Sequence, residues 1–290
     1  MLKAKINNFI SIGELIPDGK GGKYGGLIKT EIRGHPIEIR VDREFVVGCQ
    51  DSDHLGKDIP TALLLAPSAD KSDRERWELD MTMLCEMLSF STNCRINVTA
   101  IQWDDDPVTR LQTGGNINGF NHPFINGFSI SNFVTRCFSS YATLRDSRQL
   151  NVVVDYLYHA SMPGAAIELQ LAAAFILMEN LKHTWATNHG YPKFGNNYHQ
   201  IGSVATNKGP RLTFKNLLDD MFSAVGAGPT PQDFIDLRNE LIHSGLLNLS
   251  VTDKTDLRKR IITNQRDYLL RLLGYTGKFY GFGTGLKSIP

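Results

Sequence analysis

Cysteine is scarce. Four in 290 residues, with no C-x-x-C pair and no histidine at zinc-site spacing, show no pattern of a disulfide framework or a zinc module. Cys49, Cys85, Cys94 and Cys137 read as reduced thiols, the usual state in a cytoplasmic protein. Charge of one sign is also lacking. The net charge is +1, so any anion the chain binds must meet a local patch rather than a general field. Long apolar runs are missing: the most apolar stretch, 171–178, is far too short to cross a bilayer. Residues 1–17 interrupt their apolar positions with Lys3, Lys5, Asn7, Asn8 and Glu14, unlike the continuous core of a signal peptide. These absences point to a soluble, cytoplasmic chain without membrane contact.

Signature motifs of several enzyme classes are absent too. There is no G-x-S-x-G elbow, and Gly19-Lys20-Gly21-Gly22 lacks the spacing and following helix of a phosphate loop, so it reads as a flexible hairpin. Asp104-Asp105-Asp106-Pro107 has no further carboxylate at ligand spacing and reads as a solvated, strand-ending turn. Neither a metal nor a cofactor is expected.

What is present divides into two halves. Ile37, Ile39 and Val41 alternate with Glu38, Arg40 and Asp42, the period of a half-buried strand. It should pair with 27–33 across a turn carrying Gly34 and Pro36. Residues 61–65 form a short apolar run that fits a buried strand. A helix opens near Ser72-Asp73, with Trp77, Met81, Leu84 and Leu88 on one face. Period two returns over 95–103. The Gly- and Asn-rich stretch 114–132 reads as a loop, with the domain boundary after it. Beyond it the period is helical: 149–160; a long helix from Pro163-Gly164 with Ile167, Leu171, Ala174, Met178, Leu181 and Trp185 on one seam; 212–225; a helix opened by Thr230-Pro231; and 253–274. The fold class is therefore α+β: an N-terminal β-rich domain with one helix, residues 1–140, then an antiparallel helical bundle, residues 141–290.

The helix after Pro231 carries the chemistry. At 100° per residue, Phe234, Leu237 and Leu241 share an apolar stripe with Ile242 close by, while Asp236, Asn239, Glu240 and His243 lie on the polar side. Arg238 falls inside the apolar arc. An unpaired charge there is costly, so either a Glu on a neighbouring helix pairs with it or its fork reaches a rim or subunit interface.

Arg238, a polar residue, three further positions and His243 resemble the R-x4-6-H signature of the HEPN superfamily, and Leu237-Arg-Asn-Glu-Leu-Ile-His-Ser-Gly245 is similar to its commonest form. The long helix with Glu168 and Glu179 resembles the family's second helix. Leu270-Arg-Leu-Leu-Gly-Tyr-Thr-Gly277 is similar to the close of HEPN domains in bacterial ApeA-like proteins, and Leu88-Ser89-Phe90 with the strand after it to their β-rich N-terminal part. The resemblance implies a metal-independent endoribonuclease acting as a toxin-like effector in antiphage defence. Its N-terminal domain would sense a phage-derived or regulatory trigger, and it would be a homodimer paired through the motif helix. Members with an intact motif that only bind also exist. The alternative is thus a non-catalytic module that holds RNA, a nucleotide or a partner protein.

The residue types suit RNA cleavage. Imidazole as a class titrates near neutrality, so His243 can move the 2′-hydroxyl proton or protonate the leaving 5′-oxygen. Arg238 offers a bidentate clamp to the phosphoryl oxygens, and Asn239, one turn before His243, can orient the ring or hold a phosphate oxygen. Glu168 and Glu240 are candidate supports. Five residues set Arg238 and His243 about 140° apart on an ideal helix, which a dimer would relieve by joining Arg238 of one chain to His243 of the other. A second feature is the stretch 180–218, which holds no Asp or Glu. Lys193, Lys208, Arg211 and Lys215 there, interleaved with Tyr191 and Tyr198, suit a single-stranded RNA track in which cations meet phosphates and rings stack on bases. An ordinary surface loop has the same composition.

Overall fold

In the computed structural model the described residues are all but 12, 18–22, 44–59, 105, 112–122 and 207–208, and they form a mixed α and β chain. Two compact units are present. The first comprises 1–142 with Lys278–Tyr280, and the second Thr143–Gly277 with Gly281–Pro290.

The first unit is built on a seven-stranded antiparallel sheet. Its strands are β1 (Leu2–Asn7), β2 (Glu14–Pro17), β3 (Lys23–Ile32), β4 (His35–Val41), β5 (Pro60–Ala66), β6 (Val98–Trp103) and β7 (Thr109–Arg110), in the order β2-β3-β4-β5-β1-β6-β7. Leu2, Ala4 and Ile6 of β1 have no exposed surface and alternate with Lys3 and Lys5, so the first strand of the chain lies in the interior of the sheet, between β5 and β6. The β3–β4 pair closes on a two-residue turn, Arg33-Gly34, both with positive φ, whose twist matches that of the strands. Pro36 is not in that turn but inside β4, opposite Glu31. Arg33 reaches from the turn to Asp80, which is 3% exposed, at 3.1 Å.

Helix α1 (Arg74–Thr92) buries Trp77, Met81, Leu84 and Leu88, as their spacing predicts. Asp70 rather than Ser72 or Asp73 supplies the capping oxygen, 3.0 Å from the Ser72 N–H. A second helix, α2 (Ile130–Leu144), begins inside the stretch whose composition suggests a loop. It buries Ile130, Phe133, Val134, Cys137, Phe138 and Tyr141, a stripe of period 3.6. Phe133 meets Phe90 of α1 with ring centroids 5.9 Å apart, and the Tyr141 hydroxyl donates to Glu86. The first unit therefore holds most of α2 besides α1. Asp104 takes the N-terminal ammonium and Asp106 takes Lys71, each at 2.7 Å.

The second unit is helical. Its helices are α3 (Leu150–Ser161), α4 (Ile167–Asn188), α5 (Phe214–Ser223), α6 (Gln232–Ser244) and α7 (Val251–Leu272). The long α4 is the hub and packs against each of the other four. Its seam residues Leu171, Ala174, Met178, Leu181 and Trp185 are buried, and Ile167, at its first position, is half-buried. Arg148, 2% exposed, is held by the Thr184 hydroxyl, the Leu181 carbonyl and the Tyr268 hydroxyl, the last at 2.8 Å. The small hairpin of β8 (Lys193–Phe194) with β9 (Asn197–Tyr198) also belongs to this unit, while a further hairpin pairs β10 (Gly277–Gly281), whose Lys278–Tyr280 count with the first unit, with β11 (Gly285–Ile289). Among the described residues no helix is long and apolar enough to cross a membrane.

Candidate active site

Helix α6 positions the motif. It runs unbroken through Arg238 and His243 and stops at Gly245, whose φ of 73° is the left-handed conformation that ends helices at glycine. Pro231 stands just before its first residue. Thr230 does not cap it with its side chain: the threonine is buried, and its N–H donates to Asp219. The buried stripe is Phe234, Ile235 and Leu241, with Leu237 half-buried. Ile242 departs from the expected stripe and is 48% exposed.

Arg238 lies in that stripe and is paired inside the chain. Its Nη2 donates to Glu179 of α4, and its Nη1 donates to Asn239 Oδ1 at 2.6 Å. The guanidinium sits over the Phe214 ring, 4.7 Å from the centroid. Glu179 is shared: Lys182 donates to its other oxygen at 2.6 Å, and Lys182 also lies 4.7 Å from the Phe214 centroid. One carboxylate and one aromatic face thus hold two cations, which is how a charge survives in an otherwise apolar stripe. The fork meets Glu179, one of the two answers the helical wheel allows.

His243 lies elsewhere. It is exposed, on the last turn of α6. Because α6 is continuous over both residues, the divergence of about 140° between Arg238 and His243 holds. A single chain therefore does not bring them to one point. Asn239 serves Arg238 rather than the imidazole. Glu240 is exposed and accepts from the Asn248 N–H at 2.9 Å, closing the turn after α6. Glu168 is distant from the motif in its bonding: it takes Lys254 of α7 at 2.7 Å, and this hydrogen bond holds its carboxyl below the usual carboxylate range.

The acid-free stretch is dispersed by the fold. Tyr198 is 5% exposed, and its hydroxyl lies 2.6 Å from His183 Nδ1, so its ring is packed in place and not open to a base. Tyr191 is half-buried against Trp185, and its hydroxyl donates to Asp220; burial and that carboxylate push its pKa up to about 12. Lys215 is ion-paired with Asp219 one turn on. Lys193 and Arg211 are exposed, Lys193 with its ammonium 5.5 Å from the Tyr198 centroid. Lys208 lies outside the described residues. The stretch also contributes core, through Trp185, Tyr198 and His199.

Two residues outside the motif gain importance. In the sequence Glu179 is one of two acids on the long helix. His183 gives only the weak signal of a lone histidine at a helix edge, yet it faces an open cleft whose wall also includes Glu179, Lys182 and Lys193. Comparison of the chain with protein-family models, with curated proteins and with solved structures finds no match to any of them.

Proposed function

We propose that the second unit is a metal-independent endoribonuclease of the HEPN type, active as a dimer paired through α6. The observation that supports this most is the disposition of α6: an arginine oriented by three groups, and on the same helix an exposed histidine. In the proposed reaction His243 takes the proton of a ribose 2′-hydroxyl. The O2′–P bond forms as the P–O5′ bond breaks, and a protonated imidazole returns a proton to the 5′-oxygen. Arg238 stabilises the charge that builds on the non-bridging oxygens. The products are a 2′,3′-cyclic phosphate and a 5′-hydroxyl.

The dimer follows from the divergence of the two side chains, because a two-fold axis near α6 can set Arg238 of one chain against His243 of the other. Exposed Ile242 and Leu246, 48% and 65% exposed, flank His243 and give such a pairing apolar surface to bury. A toxin-like role in antiphage defence, with the first unit sensing the trigger, rests on the HEPN resemblance alone.

Complementation tests this reading. Arg238→Ala and His243→Ala proteins should each be inactive on single-stranded RNA. Mixed and allowed to exchange subunits, they should recover about a quarter of wild-type activity, since random pairing makes half the dimers mixed, each with one intact composite site. Wild-type cleavage should persist in EDTA and fail on RNA lacking the 2′-hydroxyl at the scissile position. A strictly monomeric protein that still cleaves would refute the composite site. RNA binding without cleavage by wild type, unchanged in His243→Ala, would favour the non-catalytic module that Arg238's internal pairing also fits.

A further inference from the structure

An open cleft of about 470 Å³ lies between α3, α4 and the β8–β9 hairpin, all within the second unit. That volume is within the range of small-molecule sites. Among the described residues lining it, the only carboxylate is Glu179, and it is already shared by Lys182 and Arg238. Lys193 lines the same cleft from the hairpin, so cations outnumber anions there. The opposite wall is α3, where half-buried Tyr156 and Val152 make an apolar surface beside the amide of Gln149. Asn196 adds another amide from the hairpin turn.

We infer that this cleft binds the phosphate monoester of a nucleotide, with Lys182, Lys193 and His183 on the phosphate and Tyr156 with the amides on the sugar and base. The pattern matches the ligand part by part. A phosphate dianion needs clustered N–H donors, a base needs a flat apolar surface, and its edge needs amide partners. Inorganic phosphate alone would satisfy only one end. The site does not depend on cleavage at α6, because its groups on the phosphate are neither Arg238 nor His243.

Histidine 183 makes the site sensitive to pH. Partial withdrawal from water, then the charges of Lys193 and Lys182, hold its pKa below the ordinary 6.5, against the opposing pull of Glu179. Tyr198 bonds its Nδ1. These surroundings favour the neutral ring in the free protein. A bound dianion adds negative charge beside it, raises its pKa and draws a proton onto the ring, so binding tightens as pH falls.

Calorimetry on the full chain tests this with adenosine 5′-monophosphate, adenosine, and a tetranucleotide carrying either a 5′-phosphate or a 5′-hydroxyl. The nucleotide should bind saturably, and adenosine about tenfold more weakly or worse, the loss expected for charge-assisted contacts. Lys193→Gln, at an exposed position, should weaken the nucleotide by about tenfold. Binding should be several-fold tighter at pH 6.5 than at pH 8.0, both above the phosphate's own second titration near 6, and His183→Gln should abolish that difference. Preference for the phosphorylated tetranucleotide over the free nucleotide would assign the phosphate to an RNA end. The reverse preference would assign it to a free mononucleotide. Equal binding of nucleotide and adenosine, or unchanged nucleotide affinity in both variants, would overturn the inference. Nucleotide affinity measured on His243→Ala, which should equal that of wild type, separates this result from the ribonuclease reading, which stands or falls on Arg238 and His243.

Discussion

Replacing Glu179 with Gln isolates the interaction on which the placement of Arg238 depends. The change keeps the shape and removes the charge that Arg238 and Lys182 share. The side chains are 20%, 15% and 30% exposed for Arg238, Lys182 and Glu179, between the regimes of surface and buried pairs. A surface pair contributes roughly 0.2–1 kcal/mol, and breaking a buried one costs about 3–5 kcal/mol. Two charge-assisted bonds in this intermediate setting, discounted for the water that still reaches them, amount to about 2 kcal/mol. Both cations also remain over one Phe214 ring after the change, with no anion between them. Urea unfolding followed by circular dichroism at 222 nm should show the loss, and thermal unfolding a fall of roughly 4–8 °C. A double-mutant cycle with Arg238→Met then apportions it. Removing one cation relieves the repulsion, so the double variant should be less destabilised than the sum by about 1 kcal/mol. A coupling below about 0.5 kcal/mol, the ordinary error of additivity, would refute the claim that Glu179 holds Arg238 in the stripe.

Three other outcomes follow from the geometry. Tyr198→Ala should cost about 3–5 kcal/mol of stability, the range for truncating a buried aromatic, and Tyr198→Phe about 1 kcal/mol for the lost bond to His183, both read by urea unfolding. If single-stranded RNA tracks this face, Lys193→Gln should flatten the salt dependence of binding by roughly 0.7 in slope, and Lys215→Gln, whose ammonium is already paired with Asp219, by less; equal effects would show that the ion pair opens for RNA. Glu168 titrates below its ordinary 4.5 in the fold because of Lys254, so its contribution is present above 4.5 and is lost as pH falls through the lowered value; Glu168→Gln should flatten the acid limb of the stability curve, and an unchanged limb would refute the linkage.

Elements with a repeating pattern are legible in the amino-acid order alone. The alternation in β4 and the stripes of α1 and α4 depend only on period, and their inward residues, half-buried Ile167 apart, are buried. Other elements carry a pattern that admits a second meaning. Residues 2–6 alternate as cleanly as β4, yet Lys3 and Lys5 also read simply as charges interrupting a short apolar run. The same mixture is what a strand inside a sheet with one solvated face requires. The stripe of α2 begins at Ile130, inside a stretch whose glycines and asparagines suggest a loop, and there composition masks period. The closing hairpin has no sequence signal, because Gly277, Gly281, Gly283 and Gly285 leave little alternation between them.

At the candidate site, the sequence can specify a face but not a level. Arg238 in an apolar arc demands a counter-ion, and α4 offers Glu168 and Glu179. These are eleven residues apart, so they differ by only about 20° around the helix and by about 16 Å along it. Azimuth alone cannot choose between them. The choice is made by packing: α7 brings Lys254 to the first turn of α4, and α6 brings Arg238 to its middle. The same limit explains His183. It stands one turn after Glu179 on nearly the same face, which periodicity registers only as a polar edge. Its surroundings come from Lys193 and Tyr198 on the β8–β9 hairpin, whose return against α4 has no periodic signature. The fold thus gathers into a cationic cleft residues that in linear order suggest an RNA track. The binding geometry depends on that fold, so disrupting the hairpin while leaving Lys193 in place should weaken phosphate binding as much as Lys193→Gln does. Gly195, at the hairpin turn with φ of 59°, offers the perturbation, because a β-branched residue there is strained. Gly195→Val should lower nucleotide affinity with the helical signal at 222 nm unchanged. Full affinity in that variant would mean that the lysine acts as a free surface charge and that the cleft is not the site.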